Sequence, residues 1–187
     1  QHELASMATI WHQIGLVHEE AGTYDAAEAA YLRSLEIATC NKDGAGQASS
    51  LNQLGNLYDD YLNRPEEAVN FYHQAADLYL ELSDSLHEGA VRNNIALTLY
   101  NLQRYDEARK EVQRAIECNK SFGCVAKSWL AFNALYKIET ATNNPKKAQE
   151  AWKQARDVYL AYRQQGGYAQ FYGGKQVNQI LSPLIQL

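Results

Sequence analysis

The stretch Leu51 to Ala75, LNQLGNLYDDYLNRPEEAVNFYHQA, limits the fold most, because it holds two helical stripes separated by a turn. Leu51, Leu54, Gly55 and Tyr58 fall at i, i+3, i+4 and i+7, the pattern of an amphipathic helix. Ala68, Phe71, Tyr72 and Ala75 make a second such stripe. Between them Asn63-Arg64-Pro65-Glu66-Glu67 reads as a stop and a restart. Proline is tolerated at the first helical position, and carboxylates there complement the helix dipole. The unit is a helical hairpin.

The same hairpin recurs. Trp11, Ile14, Gly15 and His18 precede Ala27, Tyr31 and Ser34; Arg92, Ile95, Ala96 and Leu99 precede Ala108, Val112 and Ala115; Phe132, Leu135, Tyr136 and Glu139 precede Ala148, Trp152 and Ala155. The corresponding positions Gly15, Gly55, Ala96 and Tyr136 are 40, 41 and 40 residues apart, a period that means a solenoid. Small residues at this position predict a close crossing of the two helices, with aromatic residues filling the gaps beside it. Tyr136 in place of Gly or Ala predicts looser packing or a changed angle in the fourth repeat. Gly55 to Ala68 spans 13 residues where the other copies span 12, which predicts a wider turn or a helix bulge near Tyr61. For caps, Ser85-x-x-Glu88 reads as a capping box, Asp43 as an N-cap, and Asn144-Pro145 as the start of the eighth helix.

On these residues the chain resembles the tetratricopeptide repeat family. Its pattern of W-x2-L-G-x2-Y followed by A-x3-F and A is matched by Trp11-x2-Ile14-Gly15 and by Leu51-x2-Leu54-Gly55-x2-Tyr58. The period is longer than the usual one, with the extra residues at the end of each second helix. That is similar to the long-repeat subclass of kinesin light chains, Pins-like adaptors and bacterial sensor arrays fused to ATPase or caspase-like modules. The resemblance implies an all-α, right-handed solenoid that acts as a protein-interaction module. It weakens toward the C-terminus, where Arg92 and Glu139 stand at apolar or tyrosine positions. The expected organisation is an array over residues 1–165, with repeats at about 5–41, 45–82, 85–121 and 125–165. A glycine-rich linker over 166–174 and a capping or docking helix over 175–187, striped by Val177, Ile180, Leu181 and Leu184, would follow.

No catalytic constellation emerges. His12 and His18 lie on different helix faces, and His2, His73 and His87 are scattered, so no metal or cofactor is expected. The carboxylate pairs Glu19-Glu20, Asp59-Asp60 and Glu66-Glu67 each fall at a helix end, where solvated charge is ordinary. No nucleophile signature, Walker loop or dinucleotide fingerprint occurs, and the reading is not an enzyme. Cys40, Cys118 and Cys124 have no metal-site spacing and read as reduced thiols. No run approaches a membrane span, and Gln1-His2-Glu3 has neither a basic lead nor an apolar signal core, so a cytoplasmic chain with no membrane role is expected.

The functional signal is positional. With Leu51, Leu54, Gly55 and Tyr58 turned to the partner helix, Ser49, Asn52, Asn56 and Asp59 fall on the concave inner face. The position of Asn52 is taken by His12, Asn93 and Asn133 in the other repeats. A ladder of carboxamides suits the alternating N–H and C=O groups of an extended peptide. In long tetratricopeptide arrays similar to this one, asparagines of the first helices take that role, which the resemblance carries to Asn52, Asn93 and Asn133. The bland alternative is that they are solvated inner-face residues, or bond across neighbouring helices to fix repeat geometry. Glu19 and Asp59 make one half of the groove acidic, and Leu97, Tyr100, Leu130 and Lys137 give the other half an apolar floor with a positive edge. A protein or peptide with basic and apolar segments fits both.

Charge is uneven along the chain. Residues 1–94 hold 4 Lys+Arg against 15 Asp+Glu, and residues 95–187 hold 13 against 7. This argues against a nucleic-acid surface, which needs a continuous basic stripe. Two further readings stay open: a regulatory segment controlling a neighbouring ATPase or peptidase, and self-association through the C-terminal helix or the oppositely charged ends.

Overall fold

The computed structural model describes residues 2–121 and 125–164. Among them are eight α-helices and no strand: α1 His2–Glu20, α2 Tyr24–Cys40, α3 Gly44–Asp60, α4 Pro65–Glu81, α5 Ser85–Asn101, α6 Tyr105–Ser121, α7 Val125–Ala141 and α8 Pro145–Gln164. Consecutive helices pack antiparallel into four hairpins that stack in order, α1–α2, α3–α4, α5–α6 and α7–α8. The chain is an all-α solenoid. The glycine-rich linker and C-terminal helix expected over 166–187 lie outside the described residues.

The turns share one device. Gly22, Lys42, Asn63, Ser83, Gln103 and Asn143 all have left-handed φ, each directly before the residue that precedes the next helix. The next amide then reaches back to a carbonyl five residues earlier, as from Thr23 to His18, Asp43 to Ala38 and Asp84 to Tyr79. At the α3–α4 turn the amide of Arg64 reaches back six residues, to Tyr58. The extra residue near Tyr61 therefore widens the turn and leaves the helix regular.

Caps follow the sequence with one change. Asp43 accepts from the Gly46 amide at 3.0 Å, and Pro65 and Pro145 open α4 and α8. At α5 the cap is Asp84, which accepts from the His87 amide, while Ser85 is already helical. Glu88 does not reach back as a capping box would. It turns inward to Arg92 at 2.7 Å.

The core runs unbroken through the stack. Leu54, Leu57, Ile95, Leu99, Val112 and Ile138 are all within 1 % of complete burial, and Tyr31 and Tyr72 lie among them. Fully burying an aliphatic or aromatic side chain contributes about 1.5–3 kcal/mol, which is what holds each hairpin to the next. Gly15 and Gly55 sit under the rings of Tyr31 and Tyr72: a Cβ on either glycine would lie 2.4 Å from the ring. What the small residue admits is a tyrosine ring of the partner helix.

In the third repeat Ala96 sits opposite the smaller Val112, and both are fully buried. In the fourth, Tyr136 and Trp152 are both large, and they line an open cleft of about 530 Å³ with Thr140, Pro145, Ala148 and Gln149. Arg92 and Glu139 keep the core closed by ion pairing. Arg92 is 3 % exposed between Glu88 at 2.7 Å and Glu111 at 2.9 Å, and Glu139 is 1 % exposed with Arg109 at 2.6 Å.

Candidate functional site

The first helices of the hairpins form the inner row. α1 touches α3 and α5 touches α7, while α3 and α5 are tied by hydrogen bonds from Thr98 to Asp59 (2.7 Å) and from Asn94 to Asn56 (3.4 Å). On the other side α2 and α4 are held apart by a groove lined by Leu35, Thr39, Gln74 and Leu78. A stack whose first helices are close and whose second helices are splayed is concave on the first row.

That row brings the sequence-predicted residues to one face, where they divide by hydrogen bonding. Glu19, Asn56 and Asp59 are engaged within the chain. Glu19 accepts from the Tyr31 hydroxyl at 2.7 Å, Asn56 Oδ1 accepts from the Tyr72 hydroxyl at 2.8 Å, and Asp59 accepts from Thr98. These bonds join helix to helix and repeat to repeat.

Asn52 and Asn93 are different. Both are half-buried, and the Oδ1 of each is buried with no hydrogen-bond partner in the chain. An unsatisfied buried carbonyl costs about 1–3 kcal/mol, and a half-turn about χ2 exchanges it with the amide nitrogen. Asn133, one repeat further, is also half-buried. Asn119 has an unpartnered Oδ1 too, but it is on α6 beside Gly89, away from the inner row.

The remaining candidates define the ends of the row. His12, at the register of Asn52, is half-buried with its ring 5.6 Å from that of Tyr31, and burial pulls its pKa down, which favours the neutral imidazole. Leu97 and Tyr100 are half-buried against the core, and Tyr100 tilts against Tyr105 at 5.7 Å. Leu130 and Lys137 are exposed.

The first half of the row is negative. Burial and then the carboxylates of Asp59, Asp60 and Glu19 raise the Tyr72 hydroxyl well above its usual range, and burial and then Asp59 raise Asp60. Burial and the Glu28 carboxylate push Tyr58 up to about 12. The thiol of Cys118 is pushed up to about 11 by burial and by Glu88, so it is neither an activated nucleophile nor a ready ligand. Among the described residues no group of three His, Cys, Asp or Glu could hold a metal ion, and no helix is long and apolar enough to cross a membrane.

Sequence reasoning missed the ion pairs of Arg92 and Arg109. The i, i+4 spacing of Glu88 and Arg92 was a readable signal for the first. For the second the signal was a repeated offset: Arg109 meets Glu139 across 30 residues, as Glu28 meets Tyr58.

A family model described as tetratricopeptide repeat matches residues 6–81, and a second model of the same description matches residues 89–121. No curated protein sequence matches the chain. Among solved structures, BtubC (BKLC) from P. vanneervenii is similar at a TM-score of 0.76 and 20% identity, over 89% of this chain and 67% of that one. Aspartyl phosphate phosphatase F from Bacillus subtilis gives 0.75 and 16%, over 88% of this chain and 42% of that one. A signal transduction ATPase with numerous domains and a tetratricopeptide repeat sensor, from Pyrococcus horikoshii, gives 0.76 and 15%, over 98% of this chain and 30% of that one. At these identities the likeness is one of fold, and the chain spans less than half the length of the latter two.

Proposed function

Because the chain belongs to the tetratricopeptide repeat family, we propose that it is a non-catalytic interaction module whose inner row binds an extended peptide or a helix of a partner protein. The observation that carries this reading is the contrast along that row. Glu19, Asn56 and Asp59 are spent on holding the array together, whereas Asn52 and Asn93, in one register on successive first helices, keep a carboxamide oxygen without a partner. A ligand amide supplies the missing donor. First helices spaced about 8–10 Å apart match roughly three extended residues of about 3.3 Å each, so Asn52, Asn93 and Asn133 can meet every third residue of one strand-like peptide.

The ligand's chemistry follows from the row. His12, Glu19 and Asp59 flank the acidic end and favour a basic segment; Leu97, Tyr100 and Leu130 favour an apolar anchor, with Lys137 at its edge. Peptides selected from a displayed random library should bind the wild type, and the Asn52→Ala/Asn93→Ala/Asn133→Ala variant should bind them at least about tenfold more weakly, a loss of about 1.4 kcal/mol. Unchanged affinity for every selected peptide would overturn the reading.

A second reading, that the array senses a signal and controls a neighbouring catalytic domain, is supported by the sensor repeats named in the Pyrococcus horikoshii ATPase. It uses the same inner row, with a domain of a larger protein as the occupant.

A further inference from the structure

The register of the stack can be continued past its ends. In each stacking interface one face of a first helix is buried against the preceding hairpin. On α3 that face is Ser50, Leu54 and Leu57, on α5 Val91, Ile95 and Thr98, and all six are at most 3 % exposed. Counting back one repeat places Ile10, Ile14 and Val17 at the same positions on α1. They are all apolar, yet Ile10 is 57% and Val17 64% exposed, and with Thr9, Gln13 and His18 they line an open apolar depression of about 470 Å³. Isolated exposed aliphatics are ordinary on a protein surface, whereas two exposed ones flanking the half-buried Ile14, all in the register of a buried interface, are not.

Among the described residues the last helix, α8, carries the complementary half of the same interface. In the array Ser50 bonds Ser34 at 3.0 Å, and Tyr58 and Glu139 receive their polar partners from Glu28 and Arg109. Moved to α8, the position of Ser34 is Ala155 and that of Glu28 and Arg109 is Gln149; moved to α1, Ser50 becomes Ile10 and Tyr58 becomes His18. The cleft between Tyr136 and Trp152 is lined by the exposed Gln149, and Ala155 is 8 % exposed at its place on α8. The charges also match. Residues 1–40 hold 1 Lys+Arg against 6 Asp+Glu, and residues 125–164 hold 7 against 3.

We propose that the exposed face of α1 is a docking surface for the α8 end of a second copy of this chain, seated in the array's own stacking register, with Ile10 against Ala155 and His18 against Gln149. Such a contact joins two different faces, so it continues from copy to copy and does not close at a dimer. It is weakened by salt, because part of the attraction is between oppositely charged ends.

The test is sedimentation velocity of the whole chain over a range of concentrations. The wild type should show a mass that rises with concentration past two chains. Ile10→Glu/Val17→Glu, which changes only exposed or terminal-face residues, and Gln149→Glu/Lys153→Glu, which changes exposed ones, should each keep the helical circular dichroism of the wild type and stay monomeric. An equimolar mixture of the two variants retains one intact pair of faces and should stop at a dimer. A wild type that stays monomeric at every concentration overturns the proposal, since the face is then covered by something else. So does an α8 variant that still dimerises, which would mean α1 docking on α1, and so does a mixture that stays monomeric.

Discussion

Tyr72 lies with its ring over Gly55, so that a methyl group on the glycine would sit 2.4 Å from Cε1, and its hydroxyl reaches past the glycine to Asn56 at 2.8 Å. The glycine makes room for the ring, and the ring's hydroxyl is then anchored one residue along the same helix. Gly15 and Tyr31 repeat the arrangement, with Glu19 as the acceptor.

Gly55→Ala should therefore destabilise the array by about 1–3 kcal/mol through overpacking, even though alanine is the better helix former. The third repeat supplies the compensating change, since its pair is Ala96 with Val112. Gly55→Ala/Tyr72→Val should recover part of the loss. Urea denaturation of the two variants and the wild type checks this, and equal stability of Gly55→Ala and wild type would show that the ring can move aside.

The two kinds of inner-row asparagine should separate in stability measurements. Asn56→Ala leaves the Tyr72 hydroxyl without its acceptor in the core and should cost about 1–3 kcal/mol. Asn52→Ala and Asn93→Ala remove buried oxygens that have no partner, so they should leave stability unchanged or raise it by up to about 1 kcal/mol each while they impair peptide binding. A large stability loss in the latter pair would make them scaffold residues.

How much of this was legible in the sequence depends on the kind of interaction. The hairpins, the extra residue near Tyr61 and the face carrying Asn52 and Asn93 follow from the 3.6-residue period and the repeat spacing, which are local. The division of that face into Asn56 and Asp59, which are bonded, and Asn52, which is not, depends on Tyr72, Asn94 and Thr98 arriving from other helices. Arg92 and Glu139 read as departures from the pattern, because a single position does not show that Glu88 with Glu111, and Arg109, stand opposite to neutralise them. Ser85 read as a cap because Glu88 stands three residues on, as in a capping box; Asp84 beside it is an equally good cap, and the choice is made by where the preceding turn closes.

The turns give a stabilising prediction. Ser83 and Gln103 hold φ of 57° and 61°, a conformation that costs a residue with a side chain about 1–2 kcal/mol and costs glycine almost nothing. Part of that gain is returned through the greater freedom of glycine in the unfolded chain. Ser83→Gly should raise stability by about 0.5–1 kcal/mol, measured by chemical denaturation, and no gain would mean that Ser83 makes compensating interactions in its turn.

The pairing of Arg109 with Glu139 has a pH signature with a definite sign. Burial alone would raise the Glu139 carboxyl, but the bonds from Arg109 and Asn144 overcome it and hold the group below its usual range. A carboxylate depressed in the folded state contributes stability that is fully present above its unfolded pKa and is lost as pH falls through the folded value. In the wild type this contribution should therefore be constant from neutral pH down to the ordinary carboxylate range and decline below it. Arg109→Met removes the partner and leaves a carboxylate that is 1 % exposed, which should cost about 3 kcal/mol at neutral pH. Without the guanidinium, burial dominates and the Glu139 pKa moves above its unfolded value. Protonation then favours the folded state, and the deficit of the variant should shrink as pH is lowered from 7 toward the carboxylate range. Denaturation midpoints of both proteins at several pH values test this, and a deficit that stayed constant over that range would show that Asn144 and the charge of Lys147 keep Glu139 ionised without Arg109.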